Sequence, residues 1–111
     1  MSLAQALVSL RPAGPLRPGE IVELRTRIAH PMETGYRRDS EGRLLARNIL
    51  RRFECRAEGR LLFAADLHAA IAANPYIAFT LRAGRALELE LLWLGDQGFR
   101  HVERVRLPVG P

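Results

Sequence analysis

The chain has no lysine. All 17 of its basic residues are arginine, and against 12 carboxylates they leave a formal charge of +5. Abundant alanine, leucine and glycine accompany them, so part of this bias is a coding habit. A basic chain still favours an acidic partner surface or nucleic acid over a basic one. Cysteine is nearly absent too: Cys55 stands alone, which excludes an internal disulfide and leaves the redox compartment open. No apolar run approaches the roughly 18 residues of a membrane helix. The N-terminus lacks the charged start, long apolar stretch and small-residue cleavage site of a secretory signal, so a soluble chain without its own export address is expected.

Catalytic signatures are missing as well. There is no Gly-rich phosphate cradle, no Gly-x-Ser-x-Gly elbow and no carboxylate pair in an apolar surround. Asp39, Glu41, Asp66 and Asp96 read as turn or capping residues. His30, Glu33, His68, His101 and Cys55 are suitable metal-ligand types, but their spacings match no zinc pattern. Cys55 falls on the apolar side of a strand, where a thiol behaves as a small hydrophobe. Arg37, Arg38, Arg51 and Arg52 have only Tyr36 and Phe53 beside them, too few aromatics for a nucleic-acid stacking track. Neither an enzyme nor a cofactor or metal site is expected.

What is present is alternation. At 111 residues the chain suits one domain, residues 1–111, with one core. Ala6 to Leu10 is a short apolar run, followed by a connector rich in proline and glycine. Ile21 to Ala29 alternates, with Val22, Leu24, Thr26 and Ile28 on one side, and should end at His30 because Pro31 cannot join a ladder. Tyr36 to Gly42 reads as a long exposed loop. Asn48 to Ala57 resumes the strand pattern, and Glu58-Gly59-Arg60 turns it into Leu61 to Leu67. Asp66 to Ala73 is ambiguous, since its alanines favour a helical turn that Asn74-Pro75 then closes. Tyr76 to Arg82 alternates again, and Ala83-Gly84-Arg85 should turn the chain back.

Leu87, Leu89, Leu91 and Trp93 alternate with Glu88 and Glu90 until Leu92 and Leu94 break the pattern. A strand apolar on both sides at one end touches something on both sides. For Leu92 and Leu94 that is either a partner or the chain termini folded back. In the last strand, Phe99 to Leu107, Val102 and Val105 have opposite parity, which predicts a bulge. Seven short strands in this length predict an all-β, immunoglobulin-like sandwich, with a small barrel as the competing all-β arrangement.

Two turn-rich segments hold polar residues that a purely structural loop would not need: His30-Pro-Met-Glu-Thr-Gly35, and Asp66-Leu-His68 running on to Ala73-Asn-Pro-Tyr76. With Arg47-Asn-Ile-Leu-Arg-Arg-Phe53 and Phe79, they closely resemble the SoxZ family of the bacterial sulfur-oxidising (Sox) system, in order and spacing from about Pro18 to Val105. Ala69 and Ala72 depart from the family's usual proline and serine. The resemblance implies a non-catalytic, immunoglobulin-like subunit that pairs with SoxY. In that heterodimer the sulfur rides on a cysteine of SoxY's Gly-Gly-Cys-Gly-Gly tail. The ending Leu107-Pro-Val-Gly-Pro111 has no cysteine, so on this resemblance the chain is not expected to be the covalent carrier and Cys55 is given no such role.

The resemblance also implies a periplasmic protein co-exported with SoxY, and transient contacts with other Sox enzymes, with no membrane or nucleic-acid partner. Leu92 and Leu94 are the candidates for the SoxY interface. His30, Met32, Glu33, His68, Asn74 and Tyr76 are expected to shape loops near the shared surface or facing the enzymes that load and process the tail, and Thr34, Gly35, Asp66 and Pro75 are further family-motif candidates. The competing reading is a stand-alone basic all-β module that binds nucleic acid or another acidic partner.

Overall fold

The computed structural model describes residues 5–110. Seven strands form two antiparallel sheets: β1 (Ala6–Arg11), β2 (Ile21–Ile28), β3 (Leu50–Ala57), β4 (Arg60–Asp66), β5 (Tyr76–Arg82), β6 (Glu88–Gly95) and β7 (Arg100–Arg106). The orders are β1-β2-β5 and β4-β3-β6-β7. This is the expected immunoglobulin-like sandwich. β2, β5 and β6 alternate in burial because one face meets the other sheet and the other face meets water.

The core lies between the inner faces. Val22, Leu24, Thr26 and Ile28 of β2 are buried against Leu89, Leu91 and Trp93 of β6 and Phe53 and Cys55 of β3. Aromatic rings tie the sheets together: Phe79 of β5 lies 5.7 Å from Phe53 and stacks on Phe63 at 4.4 Å, while Phe53 meets Trp93 at 5.0 Å. Burying a ring of this size contributes about 1.5–3 kcal/mol, so this cluster anchors the sheet-to-sheet contact.

The structure corrects some local expectations and decides others that the sequence left open. The last strand carries no bulge: β6 and β7 pair without a break from Glu88–Arg106 to Leu94–Arg100. Val102 simply faces outward opposite Leu92, while Val105 faces inward opposite Leu89. The irregularities sit on β3 instead, between Leu50 and Arg52 against β6 and at Cys55/Arg56 against β4. The extra residue Arg51 explains how Leu50 and Phe53, three apart, are both buried while Arg51 is exposed.

Ala83-Gly84-Arg85 does not return the chain to its own sheet. It crosses from β5 to β6 in the other sheet, with the Ala83 N–H donating to the Glu20 carbonyl at 2.7 Å. Asp66 belongs to β4, and the chain beyond it forms irregular turns rather than a helix. The C-terminal segment does not cover Leu92 and Leu94. Leu16 and Val109 form a bridge, with Leu16 N–H donating to Pro108 O (2.8 Å) and Gly110 N–H to Leu16 O (2.9 Å). The possible return of residues 1–4 lies outside the described residues.

Between β2 and β3 the exposed stretch is a small hairpin rather than an open loop. Arg38 bridges Leu44, and the Asp39 carboxylate accepts from the N–H groups of Glu41 (2.8 Å) and Arg43 (3.0 Å). Gly42, at φ 80°, supplies the left-handed corner.

Candidate functional site

The two motif segments meet at one end of the sandwich. β2 stops where Pro31 removes a ladder donor, and the next groups are satisfied locally. The His30 N–H donates to Asn74 Oδ1 (3.0 Å), the Asn74 N–H donates to His30 O (2.8 Å), and the Met32 N–H donates to His30 Nδ1 (3.0 Å). Asn74 and Met32 adopt left-handed backbone, φ 54° and 49°, a conformation that asparagine tolerates better than most residues. Pro75 is buried, and its carbonyl accepts the Ile28 N–H at 3.2 Å. The segments are thus one clamp.

His30 and Met32 act from inside this clamp. The His30 ring is buried and sits edge-on to Phe99 at 4.9 Å. Because Nδ1 accepts from Met32, the proton resides on Nε2. Burial pushes the imidazole below its ordinary pKa, with Asn48 partly opposing that shift. His30 Nε2 and Asn48 Oδ1 nevertheless miss hydrogen-bond geometry, and both are buried without a partner among the described residues. Met32 Sδ accepts the Leu50 N–H at 3.2 Å. Both side chains hold the loop to the core from within.

Around the clamp lies a polar shell. Glu33 exchanges two backbone hydrogen bonds with Asn48 (2.8 and 2.7 Å) and pairs with Arg37, whose guanidinium holds the Glu33 carboxyl below its usual range. Thr34 Oγ1 accepts the Tyr36 N–H at 3.3 Å. Gly35 lies at φ 90°, and a Cβ there would stand 3.1 Å from Arg47 Cβ. Asp96, in the turn after β6, accepts from Arg47 Nε (2.7 Å) and Nη2 (2.9 Å) and from the Ile49 N–H (3.2 Å). The Arg47 bond holds Asp96 below the ordinary carboxylate range. Asp96, Asn48 and Phe99 were not legible as part of this assembly, since their contacts join positions far apart in the chain.

The remaining candidates lie elsewhere. Asp66 ends β4, exposed, and pairs with Arg52 at 3.1 Å. His68 is exposed on the next loop, where its carbonyl accepts the Ile71 N–H at 3.0 Å. Tyr76 faces outward on the three-stranded sheet, opposite Arg27. Leu92 and Leu94 face outward on the four-stranded sheet and are half-buried. Tyr76 and the two leucines therefore occupy opposite outer faces of the sandwich.

On the leucine face, cross-strand pairing sets Ala64, Glu54, Leu92 and Val102 in one row and Asp66, Arg52, Leu94 and Arg100 in the next. Val102 and Ala64 were missed; the odd parity of Val102 was the signal. Glu54 is buried in this row, held between Arg52 (2.6 Å) and Arg56 (2.9 Å), which lower its pKa. Cys55 points the other way, fully buried, with its thiol pushed up to about 11 by burial. Among the described residues no cluster of three histidine, cysteine or carboxylate side chains is placed to hold a metal.

A search of curated proteins gives no match. Among solved structures, a superoxide reductase (neelaredoxin) from Ignicoccus hospitalis superposes with a TM-score of 0.66 at 14% identity, over 96% of this chain and 81% of that one. Two further structures of it, substituted forms, give TM-scores of 0.65 and 0.67 at 14% and 16% identity, each over 96% of this chain and 80% of that one. Likeness at this identity is one of fold. The family model for "Sulphur oxidation protein SoxZ" matches residues 11–106. With the motif clamp and the six strands β2 to β7 inside that span, the chain belongs to the SoxZ family.

Proposed function

We propose that this Sox-system subunit is the non-catalytic half of a heterodimer with SoxY, a one-domain rigid base for a partner whose C-terminal cysteine carries the sulfur. The observation that carries the reading is the outward row of Ala64, Glu54, Leu92 and Val102 with Leu94 beside it. The apolar members, Ala64, Leu92, Val102 and Leu94, sit on a face where most charges are matched, and Arg100 and Arg106, without a carboxylate partner among the described residues, lie on its edge strand β7. Arg52 and Arg56 hold Glu54, Arg52 also reaches Asp66, and Arg104 lies 3.4 Å from Glu90 and 3.8 Å from Glu88. A partner can cover the apolar row while the unpaired arginines stay at the solvent-exposed rim.

The chemistry of Cys55 supports placing the carrier thiol in the partner. Fully buried, with its pKa pushed up to about 11, it offers almost no thiolate at neutral pH. The SoxZ assignment favours a periplasmic setting, reached together with SoxY, and transient encounters with other Sox enzymes.

The test is binding of purified SoxY to chains carrying Leu92→Asp and Leu94→Asp. A carboxylate forced into an apolar interface should weaken the heterodimer about a hundredfold. Unchanged affinity would remove this face from the interface. Intact mass of the co-purified partner, with sulfur adducts on its terminal cysteine, checks where the chemistry resides.

A further inference from the structure

We infer that the outer face of the three-stranded sheet is a second docking surface, for an acidic patch on the enzymes that act on the carrier, centred on Arg27 and Tyr76. This rests on the heterodimer reading, which places SoxY on the opposite face. Strand register puts Leu7, Arg27 and Tyr76 in one outward row and Ser9, Arg25 and Ala78 in the next. Leu7 is 64% exposed and Tyr76 52%, with the Arg27 guanidinium 5.7 Å from the Tyr76 ring centroid. A shallow groove of about 440 Å³ runs between Leu7 and Tyr76 over Arg25 and Arg27. None of these outward side chains is needed to fill the core, and an exposed tyrosine against an arginine beside an apolar group is the composition of an interface centre.

Charge selects the partner. The face carries Arg11, Arg25, Arg27 and Arg82 against the single carboxylate of Glu23, four positive and one negative, a net of +3. Arg25 pairs with Glu23 and Arg82 bonds the Gly19 carbonyl, whereas Arg11, Arg27 and Arg82 have no carboxylate partner among the described residues. On the other outer face Arg52, Arg56 and Arg104 are paired with Glu54, Asp66, Glu88 and Glu90, and only Arg100 and Arg106 on its edge strand lack a carboxylate partner among the described residues; this face has a single carboxylate for its four arginines. Such a field raises encounter rates with an oppositely charged surface and weakens as salt screens it. Leu7, Ile21 and Ala78 interrupt the arginines, and Tyr76 is the one aromatic, which fits an acidic protein surface better than a phosphate chain with stacked bases.

The test uses the heterodimer as substrate for the purified Sox enzymes that load and process SoxY, comparing wild type with Arg27→Glu and Tyr76→Ala. At about 20 mM salt, Arg27→Glu should raise KM about tenfold for at least one enzyme, and Tyr76→Ala about fivefold, with kcat unchanged. The wild-type KM for that enzyme should climb by a similar factor toward about 200 mM salt, and the Arg27→Glu value much less. SoxY affinity should match wild type in both variants, which guards against a folding defect. Unchanged KM for every enzyme, with the heterodimer intact, overturns the inference. So does single-stranded DNA binding that Arg27→Glu abolishes, which would make the face a nucleic-acid surface. A wild-type chain that forms no heterodimer defeats the carrier reading and this inference with it.

Discussion

Replacing Asn74 tests the clamp that joins the two motif segments. Its side chain accepts the His30 N–H at 3.0 Å, and its backbone sits at φ 54°. Asn74→Ala loses the acceptor, leaving a donor of a buried residue unpaired, at about 1–3 kcal/mol. It also places a less tolerant residue in the left-handed region, about 1 kcal/mol more. Because Asn74 is itself exposed, water reaches part of the gap and the total should fall near 2–3 kcal/mol, or roughly 8–12 °C in Tm. Asn74→Gly removes the backbone cost but not the lost acceptor, and should cost about 1–2 kcal/mol. Asn74→Asp keeps both acceptor and backbone tolerance and should stay within about 0.5 kcal/mol. Equilibrium urea unfolding, with unchanged m-values, gives the order Asp, Gly, Ala. An aspartate variant as unstable as the alanine one, or a glycine variant as stable as wild type, refutes the argument.

Gly95→Ala should cost about 2–3 kcal/mol in the same assay, because a Cβ there would stand 2.7 Å from the Ile49 carbonyl oxygen. Gly59→Ala meets nothing within 4 Å and bears only the cost of φ 77°, about 1 kcal/mol. His30 is held below the ordinary imidazole range by burial, so the unfolded chain takes up its proton first. Its stabilising contribution is complete above about pH 6.5 and declines as pH falls below that. Asp96 and Glu54, lowered by Arg47 and by Arg52 and Arg56, contribute above the unfolded carboxylate range and lose that contribution as pH falls through it. Urea midpoints should therefore begin to drop below about pH 6.5 and fall more steeply below about pH 4, and NMR should find His30 neutral with its proton on Nε2. Cys55 should resist a disulfide reagent at about pH 8 in native buffer and react fully in denaturant; rapid native labelling would contradict its burial.

Most of the fold was legible because it is written in period-two alternation. Val22, Leu24, Thr26 and Ile28 announced β2, and Leu89, Leu91 and Trp93 announced β6. The failures came where parity breaks. Val102 and Val105 read as a bulge, although one valine was serving an outer face. Leu50 and Phe53 held the real bulge, hidden because Ile49 and Phe53 share parity and made β3 look regular. Ala83-Gly84-Arg85 carries turn chemistry, but turn chemistry does not say which sheet the next strand joins. The motif segments were legible as unusual, while their mutual contact was not: His30 and Asn74 are 44 positions apart, and nothing in the residues beside a histidine says that its ring will be buried against Phe99.

The small hairpin between β2 and β3 gives the molecule a modular appendage. Its own hydrogen bonds close it, from Arg38–Leu44 to the carboxylate of Asp39, and its side chains from Tyr36 to Leu44 are exposed. Lengthening it or grafting a fluorescent reporter between Ser40 and Glu41 leaves the sandwich untouched, since closing a longer loop costs only about 0.6 kcal/mol for each doubling. For engineering, it is an exposed handle on which a label can be mounted outside the strands of both sheets. For evolution, it is where relatives can differ in length without refolding the base that holds them.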